Sequence, residues 1–461
     1  MKKVIFYLTF FIFNSFFVKD IFAEQHLDIT GTAVILMERS TGRVVYERNA
    51  DTPIYPASMI KVLTAIVLLD HTDINDIVRV GNSIYHVPFG SSIASHFYGE
   101  HITVHNLLRG LLLPSGNDTA NIVAAHVSYV VSGEDMDFAE AEQFFANLMN
   151  ERARSIGAVN SNFTNAHGFH DPLMQVTARD LAKITDYAMN NSIIMSVASE
   201  ISFIGESAPN PDGNLNTREI DWSNTNRLLV GEFFNEDVTG LKTGFHTPAG
   251  WCFIGTAYRD GIELISVIAG SYANVRWVDT NALFDYSFEN YEITTIHNPS
   301  NVIETINIQN SRWGDESTVN TFGTTSFSHY ISIEELSQIN RDIVFFENLL
   351  YTPEYGNEND EILFLAPLYA GDVVGNVIYS LNGVELFRDN IVVPKDVLPW
   401  SILSSIGFVT NYLIENPFSI FGLSFMLAII FFGIICYQFT NIVINIRRKR
   451  LKSKGSKKYK F

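Results

Sequence analysis

Apolar, β-rich runs at residues 32–37 and 43–48 flank Glu38-Arg39-Ser40-Thr41-Gly42, a turn-rich segment, and together predict a hairpin. The pattern then changes to helical spacing. Apolar positions recur every three or four residues across 58–69, Thr103 is placed to cap a short helix through Leu112, and 138–156 reads as a long helix ended by Gly157. Thr177 with Asp180 three positions on resembles a capping box before a helix over 181–189. Strands return near Leu241. The runs 250–258 and 262–269 enclose the tight polar turn Arg259-Asp260-Gly261, and a helix over 275–291 follows. Strands, then helices, then strands predict an α+β fold whose two ends share one sheet.

The texture alters after residue 292. Strand-length alternation marks 303–308 and 373–379, and Leu381-Asn382-Gly383-Val384 reads as another hairpin turn, which predicts a small all-β domain over 292–394. Its middle, 311–360, is acidic and irregular, and no element is placed there. Residues 395–417 read as a linker.

Both termini carry membrane signals. Lys2 and Lys3 precede an apolar run over 4–13, and Ala23 supplies a small residue at the end, which predicts a secretory signal over 1–23. Asn14, Ser15, Lys19 and Asp20 interrupt the segment and favour a cleaved signal over an anchor helix. Residues 418–437 are free of charge, and apolar character continues to Ile446, which suits a transmembrane helix over 418–446. Nine Lys and Arg and no acid follow, so 447–461 is predicted to be a cytoplasmic tail, with the bulk of the chain (24–417) outside the membrane.

That outer part carries 49 acidic and 19 basic residues, a balance that argues against nucleic acid as a partner. The two cysteines, Cys252 and Cys436, fall in the outer part and in the membrane run, so no internal disulfide is expected, and with 47% hydrophobic residues stability must come from a large core. The sequence has no H-E-x-x-H, no paired C-x-x-C, no P-loop and no strand-linked G-x-G-x-x-G, and no metal or cofactor is expected.

Three short motifs carry chemistry. Ser58-Met59-Ile60-Lys61 places a hydroxyl and an amine on one helical face. Ser115-Gly116-Asn117 and Lys242-Thr243-Gly244 follow in order. Singly, each has an ordinary structural reading: a helix N-cap at Ser58, a turn at 115–118, a strand end at 242–244. The ordered set S-x-x-K, S-x-N, K-T-G is rare and describes a serine nucleophile activated by lysine. A lysine is a base only when neutral, and burial together with a nearby positive charge, such as that of Lys242, would make Lys61 so.

Through these motifs, and through "YPASMIKVLTA", "GSSIASHFYGEHITVHNLLRGLLLPSGNDTAN", "FTNAHGF", "TARDLAKIT", "GLKTGFHTPAGWC" and "PLYAGDVVGNVIY", the chain resembles the D-alanyl-D-alanine carboxypeptidases. These are low-molecular-mass penicillin-binding proteins of the serine-lysine type. The resemblance runs from about residue 28 to the C-terminus. It implies the penicillin-binding-protein/β-lactamase-like transpeptidase fold for residues 24–291, an antiparallel sheet with a helical subdomain. It also implies peptidoglycan stem peptides as substrate and β-lactams as inhibitors. Ser58 would be acylated by the penultimate D-Ala, with Lys61 as base. Ser115 and Asn117 would relay protons and hold the peptide, and Lys242, Thr243 and Gly244 would receive the substrate. The backbone N–H groups of Ser58 and Phe245 would bind the oxyanion, and Arg276 would lie near the substrate carboxylate.

Rival readings share parts of this pattern. An endopeptidase or a transpeptidase would use the same residues. A class A β-lactamase would need a deacylating Glu-x-x-x-Asn between the second and third motifs, and none is found. An inactive wall-binding protein would not require every motif residue to be present.

Overall fold

In the computed structural model, residues 27–209, 217–311, 316–351, 362–401 and 420–451 are described. The expected signal segment, 1–23, lies outside them. The chain divides into two compact units, Met1–Glu289 and Asn290–Phe461.

The first unit opens with the expected hairpin, β1 (Ala33–Glu38) and β2 (Val44–Arg48). Next come a 3-10 turn, Ala57–Ile60, and helix α1 (Lys61–His71). All positions from Lys61 to Leu68 are buried, so α1 is the apolar axis around which the helical layer packs. A small strand pair, β3 (Ile77–Arg79) and β4 (His101–Thr103), brackets a long loop. Helices α2 (Val104–Leu112), α3 (Asn117–Ser132), α4 (Phe138–Ile156), α5 (Ala178–Met189) and α6 (Ser192–Ala198) follow. The cap signals explain their limits. Thr103 accepts from the Asn106 N–H, a full capping box formed by Asp137 and Glu140 starts α4, and Gly157 ends it at φ 90°. At Thr177 only half of the expected box forms. Its side chain accepts from Asp180 N at 3.1 Å, while the Asp180 carboxylate accepts from Asn160 N and the Ser161 hydroxyl at 2.7 and 2.9 Å.

The hairpin of β5 (Ser202–Glu206) and β6 (Glu219–Ser223), which the sequence reading did not place, precedes the return to the main sheet. There β7 (Val238–His246), β8 (Gly250–Arg259) and β9 (Ile262–Ser271) complete five antiparallel strands in the order β2-β1-β9-β8-β7. Ala33 pairs with Ala269 and Lys242 with Ile254. The two ends of the unit therefore share one sheet, as the element order predicted. Helix α7 (Val275–Asn290) closes it. One consequence positions the site: β7 is the edge strand, with Lys242, Thr243 and Gly244 along it.

The second unit is built from short strands. β10 (Tyr291–His297) pairs with β13 (Phe327–Ser332), and β11 (Glu304–Gln309) pairs antiparallel with β12 (Thr318–Thr321) and parallel with β15 (Leu363–Leu365). β14 (Asn340–Phe345), β16 (Val373–Leu381) and β17 (Val384–Val392) form a third sheet. The expected turn between the last two holds Asn382 and Gly383 at φ 50° and 81°, the left-handed pair a tight hairpin requires. Ile306, Ile308, Phe364, Val377 and Ile391 form its core. Within 311–360, where no element was placed, lie β12, β13, β14 and a one-turn helix, α8 (Ile333–Ser337). Helix α9 (Ile420–Leu451) ends the described chain, and its stretch Ala428–Ile446 is long and apolar enough to cross a membrane.

Candidate active site

Ser58 does not cap a helix. It sits within the 3-10 turn that leads into α1, directly after Ala57 at φ 47°, a left-handed conformation that costs a residue with a Cβ about 1 kcal/mol or more. The neighbouring loop holds this turn in place. Gly168 lies so close that a Cβ there would be 2.0 Å from the Ala57 carbonyl oxygen and 3.0 Å from Ser58 N. Its own N–H donates to Asn165 Oδ1 at 2.8 Å, and Phe169 N donates to His167 Nδ1 at 3.0 Å, so the loop is stiff. The Ser58 hydroxyl donates to the His167 carbonyl at 3.3 Å. His167 thus supports this turn through both its carbonyl and its ring.

One turn on, the fully buried Lys61 Nζ lies 3.0 Å from Ser58 Oγ. The same nitrogen reaches the Ser115 carbonyl at 2.9 Å, Ser115 Oγ at 3.3 Å and Asn117 Oδ1 at 2.6 Å. Four acceptors thus surround one amine that can offer at most three protons. Burial, then the charge of Lys242, pushes the Lys61 amine well below its usual value, and Asp118 offsets this only in part. The structure thereby supplies both conditions stated from sequence for a neutral lysine.

The Ser115-Gly116-Asn117 corner is shaped to meet that amine. Ser115 adopts φ 61°, and a Cβ on Gly116 would approach Thr119 Oγ1 to 2.6 Å. Asn117 begins α3, so the motif is a loop-to-helix junction, not the plain turn its composition also allowed. A serine pair that the sequence reading did not single out clasps it from the facing loop. Ser92 Oγ donates to the Ser115 carbonyl at 2.6 Å, Asn117 N donates to the Ser92 carbonyl at 2.8 Å, and Asn117 Nδ2 donates to Ser91 Oγ at 2.9 Å. Their only sequence signal was position within "GSSIASHFYGE", since the contacts are tertiary.

Edge strand β7 forms the third wall. Gly244 allows the approach: a Cβ there would lie 3.1 Å from the Pro56 carbonyl oxygen and 3.3 Å from Met59 N. Lys242 is fully buried, and among the described residues its Nζ hydrogen-bonds only the carbonyl and hydroxyl of its neighbour Thr243, at 3.2 and 3.4 Å. Burial, helped by the charge of Arg276, lowers Lys242 to about 7. Thr243 Oγ1 lies 2.7 Å from Thr225 Oγ1, a second positioning group that sequence did not reveal. Phe245, half exposed, stacks on Trp251 with ring centroids 4.1 Å apart. Arg276 on α7 is 7% exposed, lies 4.5 Å over Trp251 and 4.2 Å over Trp277, and has no partner for Nε or Nη1 among the described residues. Burial lowers it to about 10. Cys252 behind the strand is a core thiol that burial raises to about 11.

The structure therefore gathers Ser58, Lys61, Ser115 and Asn117 by direct contact. It adds a buried cationic edge, Lys242 and Arg276, whose donors lack anionic partners among the described residues. Such an edge can receive a carboxylate beside an activated hydroxyl. Among the described residues, no group of three His, Cys, Asp or Glu could hold a metal ion.

Comparisons with known proteins agree with this geometry. Residues 20–273 match the Peptidase S11 family, described as D-alanyl-D-alanine carboxypeptidase. The chain is 28% identical over 388 residues to the D-alanyl-D-alanine carboxypeptidase DacC of Escherichia coli, covering 81% of this chain and 87% of that one. The structure of penicillin binding protein 5 from Haemophilus influenzae superposes with a TM-score of 0.56 at 26% identity, over 80% of this chain and 98% of that one. The Streptomyces K15 DD-transpeptidase gives 0.52 at 29% identity, over 57% of this chain and 98% of its own.

Proposed function

The chain belongs to the Peptidase S11 family of D-alanyl-D-alanine carboxypeptidases, and from that premise we propose how its residues divide the work. The fold is that of the penicillin-binding proteins, and the activity is serine-type D-Ala-D-Ala carboxypeptidase action on peptidoglycan. Ser58 is the nucleophile. Neutral Lys61 takes its proton as Oγ attacks the penultimate D-Ala carbonyl, and the backbone N–H groups of Ser58 and Phe245 stabilise the oxyanion. The proton then passes by way of Ser115 to the amine of the departing D-Ala, leaving an ester on Ser58. Water, deprotonated by the same lysine, hydrolyses that ester. Asn117 holds the peptide. Lys242, Thr243 and Arg276 receive the terminal carboxylate, and Gly244 lets the strand approach the nucleophile.

The observation that carries this reading is the single amine of Lys61 in contact with Ser58, Ser115 and Asn117 at once. Its test is release of D-Ala from a pentapeptide ending in D-Ala-D-Ala. Release that disappears in Ser58→Ala supports the assignment, and release that persists in that variant removes it. A second reading, transfer of the acyl group to an amine, is favoured by the likeness to a protein described as a DD-transpeptidase. An added amino-acid acceptor would then give a new peptide bond in place of free acid.

The proposed arrangement of the chain is a signal over 1–23, the catalytic domain over 24–291, the β domain over 292–394, a linker over 395–417 and a membrane helix over 418–446. The basic tail, 447–461, is cytoplasmic and the catalytic domain extracytoplasmic. The apolar run Ala428–Ile446 and the nine basic residues after it support this topology. β-Lactams, which present a reactive amide beside a carboxylate, are the expected covalent inhibitors.

A further inference from the structure

Behind the Ser115-Gly116-Asn117 corner lies a buried polar chain that the mechanism above does not use. The His96 and Glu100 side chains are completely buried and meet at 3.1 Å through Nδ1 and Oε2. The other ring nitrogen, Nε2, lies 3.0 Å from the hydroxyl of Thr119, in the first turn of α3. Arg218, beside β6, donates from Nε to the second Glu100 oxygen at 3.0 Å. Trp222 on that strand donates from its indole to the Ala94 carbonyl at 3.0 Å and presents its ring edge-on to His96 at 5.7 Å. The loop itself is tied to the motif. Asp118 accepts from Ala94 N at 2.8 Å and from His96 N at 3.1 Å, while Ser91 and Ser92 clasp Asn117 and Ser115. Thr119 occupies the space that Cβ atoms on Gly110 and Gly116 would need, at 2.7 and 2.6 Å from Oγ1.

A carboxylate that fixes an imidazole, which in turn fixes a hydroxyl, is a device for orientation. Here it has no open side toward substrate, so its effect must travel through Thr119 and the loop to Ser115 and Asn117. We infer that His96, held by Glu100 and Arg218, is a positioning residue that sets the distance of Ser115 and Asn117 from Lys61 and thereby the rate of acylation. This inference rests on the roles proposed for Ser115 and Asn117. The geometry gives the reason such a device matters. Lys61 spans 2.6 to 3.3 Å to three acceptors on this corner, and a misplacement of about 1 Å in a catalytic constellation costs on the order of a hundredfold in rate.

The test uses benzylpenicillin and the full chain in detergent, with the bound dissociation constant and the acylation rate constant resolved by stopped flow. His96→Leu, which keeps volume and removes both hydrogen bonds, should lower the acylation rate constant by about tenfold to a hundredfold, with the dissociation constant within about threefold. His96→Gln, which keeps an amide able to bond Glu100 or Thr119, should recover most of the loss. Acylation within about threefold of wild type in folded His96→Leu, or equal losses in Leu and Gln, would overturn the inference. If His96→Leu does not fold, Arg218→Met at the outer end of the chain decides: a slower acylation step supports the inference, and an unchanged one rejects it. Failure of the Ser58 assignment itself would look different, because the wild-type protein would then form no adduct at that serine.

Discussion

Each unit buries a polar cluster, and the two clusters are finished differently. In the second unit His297 bonds Tyr379 at 3.0 Å through one ring nitrogen and Asp389 at 3.1 Å through the other. Asp389 also accepts from Thr324 N at 2.6 Å, Thr325 N at 3.0 Å, Asn390 N at 2.9 Å and the Thr324 hydroxyl. Burial alone would raise this carboxyl, but those donors outweigh it and hold it at about 2. Every group faces a complementary neighbour, and this cluster ties β10, β16 and β17 together. In the first unit a neutral-leaning amine faces more acceptors than it can satisfy, two buried cations lack anionic partners among the described residues, and Ala57 and Ser115 stand in left-handed backbone conformations. Saturated polar clusters hold a fold together. Incomplete ones wait for a substrate, and the surrounding structure bears their cost.

That contrast is open to attack, beginning where the effect should be greatest. Lys61→Ala should lower acylation by about a hundredfold to ten-thousandfold, the usual worth of a positioned base, with thermal unfolding little weakened. A measurement of both on one sample checks this. Arg276→Gln should reduce kcat/KM for a D-Ala-D-Ala peptide by about tenfold to a hundredfold, because a charge-assisted bond to carboxylate is worth about 1.5–3 kcal/mol. The pH profile should change with it. On the proposed roles, activity should fall toward acid as Lys61 gains a proton and toward alkali as Lys242, near 7 in the free protein, loses its charge. Removing the Arg276 charge should move the alkaline limb upward, though not to 10.5, because burial is the larger cause of the shift.

Asp389→Asn should do the converse. It should lower the unfolding temperature of the second unit by removing a charge from a satisfied network, a loss of about 3 kcal/mol, and leave acylation at Ser58 unchanged. A fall in acylation would erase the distinction between the two clusters. Thr225→Val should have the smallest effect, about a threefold to tenfold loss in kcat/KM, since it removes one hydrogen bond behind Thr243.

How much of this was legible before the coordinates follows from the range of each signal. The α4 limits were readable from residues next to them: Asp137 and Glu140 make a local box and Gly157 a local stop. The main hairpins were readable because β8 and β9 are long, apolar and joined by Asp260 and Gly261 in left-handed conformations. The motif residues were readable because their chemistry is rare in that order. By contrast, β12 and β13 are short and mix exposed with buried positions, and β14 has no fully buried position, so no periodic run announces them. The hairpin of β5 and β6 alternates clearly only on one strand. Ser91, Ser92 and Thr225 acquire meaning only through partners more than fifteen residues away. Sequence supplies the chemistry of a site more readily than the scaffold that aims it.

The central claim is that one buried, neutral lysine activates Ser58. Its most direct test is to treat the full chain and its Lys61→Ala variant with penicillin and locate the adduct by peptide mass mapping. The account predicts a single adduct on the peptide carrying Ser58 in the wild-type chain and almost none in the folded variant. An adduct on another residue, or acylation of the variant at the wild-type rate, would contradict it.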